Sequence, residues 1–152
     1  MERRRTLGNE VESVMSEEYE LVGTASITEE TATVEIQLSK PCTDVYLFCE
    51  NLKSTNNSQL IIKLGKGIVL TGINAEISQN GQNTIQHIKK IEKRWIRTGN
   101  NHGTYRLDIG ATQMYRLMNI SDKWTPESVS SLTLLLQNDF RFTSGTIEIY
   151  GR

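Results

Sequence analysis

From residue 19 onward most of the chain alternates apolar and polar positions with a period of two, the pattern of half-buried β-strands. Tyr19, Leu21, Gly23, Ala25 and Ile27 share one face of a first predicted strand. A Thr28-Glu-Glu-Thr31 cluster then turns the chain into a second strand, residues 33–38, with Val34, Ile36 and Leu38 inward and Pro41 at its end. Val45-Tyr-Leu-Phe-Cys49 is apolar on both faces, as a central strand covered by a second sheet must be. After a polar loop at 53–58, residues 59–64 and 67–71 read as two strands joined by the Gly65-Lys66-Gly67 turn. Residues 78–83 form a loop by composition.

The stretch 84–98 is ambiguous. Ile85, Ile88, Ile91, Trp95 and Ile96 fall within about 140° of arc on a helical period, yet the same run divides into two short β segments broken near Glu92. Strands are favoured because strands surround it. Residues 103–109 and 114–118 come next as strands, then a loop at 119–128 holding Trp124 and Pro126. Ser131-Leu-Thr-Leu-Leu-Leu136 and Thr146-Ile-Glu-Ile-Tyr150 flank a breaker segment, residues 137–145, and read as a closing antiparallel pair entered through a Ser144-Gly145 turn. Nine or ten short strands with a turn about every ten residues predict an all-β, two-sheet antiparallel β-sandwich, jelly-roll-like, with an up-and-down barrel as the nearest rival.

Ahead of this domain, residues 19–152, lies a different pattern. Residues 1–18 form an arm, helical or extended, that opens with Glu2-Arg-Arg-Arg5. Leu7, Val11 and Val14 or Met15 fall at heptad-like spacing, and Asn9 can cap a helix whose first turn holds Glu10 and Glu12. About ten residues make no stable helix alone, so the arm must pack on something. A trimeric or docking stem is the sharper reading and a frayed arm the plainer one.

Composition adds limits. A chain of 152 residues suits one domain and needs no staple. With 17 basic and 18 acidic residues the net charge is −1, so no whole-protein field draws it to nucleic acid or an anionic membrane. If Cys42 and Cys49 bracket one extended strand they stand about 20 Å apart, too far for a disulfide. Free, buried thiols are expected, in keeping with assembly in a reducing cytoplasm. Neither an 18-residue apolar run nor an apolar segment behind the basic N-terminus occurs, so no membrane span or signal peptide is expected.

No Gly-x-Ser-x-Gly or His-x-x-x-His pattern occurs, His87 and His102 stand isolated as surface or loop residues, and no pair of acids is marked for glycoside chemistry. Catalysis, a metal and a cofactor are therefore not expected. The run His87-Ile-Lys-Lys-Ile-Glu-Lys-Arg-Trp-Ile-Arg97 sets five basic side chains against one acid. It reads first as a solvated strand face whose lysines discourage edge pairing, and only secondarily as contact with nucleic acid, an acidic glycan or a partner. Sugar recognition asks instead for an aromatic platform with planar polar groups around it. Trp95 or Tyr105 offers the platform and Arg97, Asn100, Asn101, His102 and Asp108 the polar partners, with Trp124 as an alternative platform; core packing is the competing reading for each tryptophan.

The end of the chain, Phe140-Arg-Phe-Thr-Ser-Gly-Thr-Ile-Glu-Ile-Tyr-Gly-Arg152 behind Ser131-Leu-Thr-Leu, resembles the C-terminal signature of jelly-roll, lectin-like modules on bacteriophage tail and receptor-binding proteins. The likeness is sharp over about the last 22 residues and covers only strand order and the Lys93-Arg94-Trp95 region before that. It implies a non-enzymatic virion module, assembled in the host bacterial cytoplasm, that binds host surface glycan through many copies, as a homotrimer beside other tail proteins. The alternative is a structural tail or decoration subunit making protein contacts only.

Overall fold

The period-two alternation builds two layers. The computed structural model describes residues 18–65, 68–70, 76–92, 94–100, 117–118 and 127–152. Eleven strands are found among them: β1 (Glu20–Ile27), β2 (Thr33–Cys42), β3 (Asp44–Ser54), β4 (Ser58–Leu64), β5 (Ile68–Leu70), β6 (Glu76–Ile77), β7 (Gln82–Ile91), β8 (Arg94–Asn100), β9 (Leu117–Met118), β10 (Val129–Leu136) and β11 (Phe142–Gly151). One sheet runs β1-β11-β3-β7-β8, the other β2-β10-β4-β5-β9 with β6 beside β4, and every pairing is antiparallel. The expected two-sheet sandwich is the observed fold.

The sheets meet through one apolar layer. Val45, Leu47, Cys49, Ile88, Trp95, Ile147 and Ile149 of the five-stranded sheet pack in a single cluster with Ile36, Leu60, Ile62, Leu64, Leu132 and Leu134 of the other. Removing such a side chain from water stabilises the fold by roughly 1.5–3 kcal/mol, so this layer is the main favourable term. β3 lies at the centre of its sheet with residues 44–49 all buried, as the doubly apolar run demands. Val34, Ile36 and Leu38 turn toward the core. Cys42 and Cys49 are free and buried as expected, although they do not bracket one strand: Cys42 ends β2 and Cys49 lies in β3, in the other sheet.

Several expectations need correction. The first strand does not keep one face. The register slips between Leu21 and Gly23, so Leu21 pairs with Tyr150 and is partly exposed, while Val22 takes the buried position. A β-bulge of this kind inserts one residue and reverses the alternation beyond it. Pro41 does not end the second strand, which runs on to Cys42. β2 is an edge strand and its pairing with β10 is irregular between Gln37 and Cys42, where a residue without an N–H is tolerated.

The last two strands are not a pair. β10 lies between β2 and β4, β11 lies between β1 and β3, and a short 3-10 turn, Gln137–Asp139, carries the chain from one sheet to the other. Asn138 and Asp139 both take left-handed backbone angles there, at φ 55° and 63°. Gly145 is accordingly not a turn residue. It sits inside β11 at φ 134°, next to a register shift opposite the Asn51–Leu52 irregularity of β3. A Cβ at Gly145 would lie 2.9 Å from the Leu52 Cα, so the position admits only glycine.

The ambiguous stretch is a hairpin. β7 and β8 pair from Ile91↔Arg94 to Ile85↔Asn100, and Glu92, at φ 57°, forms the tight turn. The arm at 1–17 and the strands expected at 103–109 and 114–116 lie outside the described residues, as does the loop at 119–126. Among the described residues no helix is long and apolar enough to cross a membrane.

Candidate functional site

Alternation sorts the β7–β8 hairpin onto two faces. Thr84, Gln86 and Ile88 on β7 are buried with Trp95 and Arg97 on β8, facing the second sheet. Ile85, His87 and Lys89 project the other way, each directly across from a β3 residue: Phe48, Tyr46 and Asp44. Five cations read as one solvated face are therefore divided. Arg97 is 1% exposed, Lys90 Nζ lies 3.5 Å from Glu127 Oε2, Arg94 is exposed and Lys89 half-buried. The Lys93 side chain lies outside the described residues.

Arg97 spans the sandwich. Its Nε donates to Gln86 Oε1 at 2.7 Å, and its Nη1 donates to the main-chain carbonyls of Leu60 at 2.8 Å and Leu70 at 3.0 Å, both on the opposite sheet. Leu60 lies beyond the last described β4–β5 pair, Ile62 with Leu70, where the ladder leaves carbonyls to be taken up. A planar guanidinium reaches several acceptors at fixed angles, which a single ammonium does not. Beside it, burial pushes the Cys49 thiol up to about 11, against the opposing pull of the Thr84 hydroxyl and the Arg97 charge. Such a thiol is a packed side chain, not a nucleophile.

Of the sugar-site residues expected from the sequence, the structure describes the side chains of Trp95 and Arg97. Trp95 is fully buried in the apolar layer and Arg97 is consumed by the contacts above, so neither side chain is open to a ligand: burial of the large ring outweighs its use as a platform. Asn100 is the last residue of β8. Its side chain, and Asn101, His102, Tyr105, Asp108 and Trp124, lie outside the described residues.

A second cluster escaped the sequence reading. Asp44 Oδ1 lies 2.7 Å from His87 Nε2, and Asp44 Oδ2 lies 3.6 Å from Arg152 Nε. His87 stacks on Tyr46 with ring centroids 4.1 Å apart and planes 4° from parallel. Tyr19 meets Tyr46 edge-on at 5.0 Å, Phe48 meets Tyr150 edge-on at 5.5 Å, and the Arg152 guanidinium lies 4.5 Å over the Tyr19 ring. Burial disfavours the charged Asp44, but hydrogen bonds from His87 and Tyr19, with the nearby His87 and Lys89, outweigh it and hold the carboxyl below its ordinary value. His87 is thus a buried, paired residue and not the isolated surface histidine expected. The signal available for it was the alternation itself, which places positions 44, 46 and 48 on the same side of β3. Among the described residues no group of three His, Cys, Asp or Glu side chains is arranged to hold a metal.

The class defined by these observations is a two-sheet antiparallel β-sandwich with a buried arginine crossing between its sheets. Comparison with protein-family models, with curated proteins and with solved structures finds no match for the chain.

Proposed function

We propose that the chain is a non-enzymatic binding module of a bacteriophage tail that contacts host surface carbohydrate through the segment leaving β8. The observation supporting this reading is the anchoring of the β7–β8 hairpin. Trp95 packs in the core and Arg97 is tied to both sheets, so the strand that ends at Asn100 is a rigid support for the residues after it. Recognition residues on a loop held by a rigid scaffold are the usual arrangement of a binding site. Trp95 and Arg97 become supports, and Asn100, Asn101, His102, Asp108 and the rings of Tyr105 and Trp124 remain as ligand contacts. A shallow site suffices when copies repeat on a particle, because multivalency raises avidity by about 10² to 10⁴. The second reading, a structural tail subunit with protein contacts only, is favoured by the loss of Trp95 as a platform.

Glycan-array and host-envelope binding by the full chain separates the two. The carbohydrate reading expects specific binding that falls at least about tenfold, near 1.4 kcal/mol, in Tyr105→Ala or Trp124→Ala with the fold intact. No binding by correctly folded protein displayed in multivalent form gives the structural reading.

A further inference from the structure

The connection from β6 to β7 crosses between the sheets in residues 78–81, because β6 pairs with β4 and β7 with β3. It is held against the end of β3: Ser54 N donates to Ser78 O at 2.9 Å, and Gln79 Nε2 donates to Thr55 O at 2.7 Å. Gln79 and Asn80 form its tip and are both exposed. Asn80 N donates to Ser78 Oγ at 3.2 Å, and no hydrogen bond to the Asn80 side-chain amide is found among the described residues. Gly81 follows at φ 82°, under the stem of Lys53, where a Cβ would lie 3.0 Å from Lys53 Cε and 3.3 Å from its Cγ. The backbone and the lysine together keep this position a glycine.

A glycine there leaves its main-chain nitrogen uncrowded, one residue after an exposed asparagine. Asn80-Gly81 is the only Asn-Gly pair in the chain. The other described asparagine side chains are worse placed. Asn51, Asn57 and Asn83 precede strand residues, Leu52, Ser58 and Thr84, whose side chains stand beside the nitrogen that would have to react. Asn56 Oδ1 accepts from the next nitrogen, Asn57 N, at 2.8 Å, and Asn138 precedes the anionic Asp139.

We propose that Asn80 is a self-modification site, where the folded turn presents a side-chain amide to the nitrogen of Gly81. Gly81 N bonds to Asn80 Cγ, the Cγ–Nδ2 bond breaks, and the amide nitrogen leaves as ammonia with the proton that Gly81 N gives up. A five-membered succinimide remains. Water then adds to one of its two carbonyl carbons and breaks that carbon's bond to the ring nitrogen. Opening at Cγ gives aspartate, and opening at the main-chain carbonyl gives isoaspartate. Either product adds one negative charge, taking the chain from −1 to −2, and isoaspartate also lengthens the main chain by one methylene between the two sheets.

The test incubates the full chain at mildly alkaline pH, separates its charge forms by ion exchange and maps its peptides by mass spectrometry. An acidic form is expected to accumulate, with conversion at Asn80 at least tenfold faster than at Asn51, Asn56, Asn57, Asn83 or Asn138. The peptide holding residue 80 is expected to accept a methyl group from an isoaspartate methyltransferase. In Asn80→Gln, whose longer side chain would have to close a larger ring, the acidic form is expected to fall at least tenfold; its persistence overturns the assignment. Conversion at Asn80 no faster than at the other five asparagines overturns it too. So does conversion in denaturant but not in the native protein, a comparison that needs no variant, because the folded turn would then withhold the amide from its neighbour.

Discussion

Replacing Arg97 with lysine keeps the positive charge and most of the aliphatic stem but removes the planar fork. Three acceptors depend on that fork, Gln86 Oε1, Leu60 O and Leu70 O, at 2.7, 2.8 and 3.0 Å. One ammonium at the end of an unbranched chain reaches one or two of them, so one or two buried acceptors lose their donor. Each costs about 1–3 kcal/mol, giving a loss of roughly 1–6 kcal/mol. With a urea slope of about 2 kcal/mol per molar, the midpoint falls by roughly 0.5–3 M. Trp95, two residues away on the same buried face, reports the transition by its emission. Arg97→Met leaves no buried charge but removes the donor from all three acceptors, so it should lose at least as much in hydrogen bonding as the lysine variant. An exposed sugar-contacting arginine predicts the opposite for Arg97→Lys, a change within about 0.5 kcal/mol as for other surface substitutions. A midpoint shift that small refutes the clamp.

The remaining expectations concern charge, thiols and the backbone. Asp44 is depressed below its ordinary 3.8, so its contribution is fully present above that pH and is lost as pH falls below it through the folded value; Asp44→Asn should lower neutral-pH stability and flatten the acid limb, and an unchanged limb by circular dichroism speaks against the pair. Burial raises both thiols, Cys49 to about 11, so at pH 8 Ellman's reagent should find two thiols in denaturant and none within minutes in the native protein; fast native labelling of either contradicts the packing. Gly145→Ala must take a strained φ and push the new methyl into Leu52, which should cost about 2–3 kcal/mol in chemical denaturation, whereas Thr146→Ala on the exposed side of β11 should stay within about 0.5 kcal/mol.

How much was legible depends on whether a feature is local. The strand at 45–49 needed only its own composition, and Glu92 broke the ambiguous run where the hairpin turns, although the helical arc of isoleucines competed with it. The bulge at Val22 was invisible because it depends on the partner register of β11, and one inserted residue moved Leu21 to the opposite face. The crossover between β10 and β11 was misread as a hairpin because a polar segment of nine residues looks the same whether its flanking strands pair or enter different sheets. The Trp95-to-Asp108 stretch had the residue types of a sugar site. Composition does not say which of two alternate positions faces a second sheet, and Trp95 and Arg97, at the same phase, both turned inward together.

That shared phase shows why a buried arginine was hard to foresee. At position 97 the polar–apolar pattern argues for the solvent side, yet Trp95 two residues earlier argues for the core, and only one can prevail on a strand. The ring prevails because its burial is worth roughly 2–3 kcal/mol, whereas the guanidinium can be satisfied in the interior by Gln86 and the two carbonyls at the end of the β4–β5 ladder. The same logic runs through β3. Tyr46 and Phe48 face away from the second sheet as surely as Leu47 and Cys49 face toward it. A strand apolar on both faces therefore requires two covers, and the second sheet supplies only one of them.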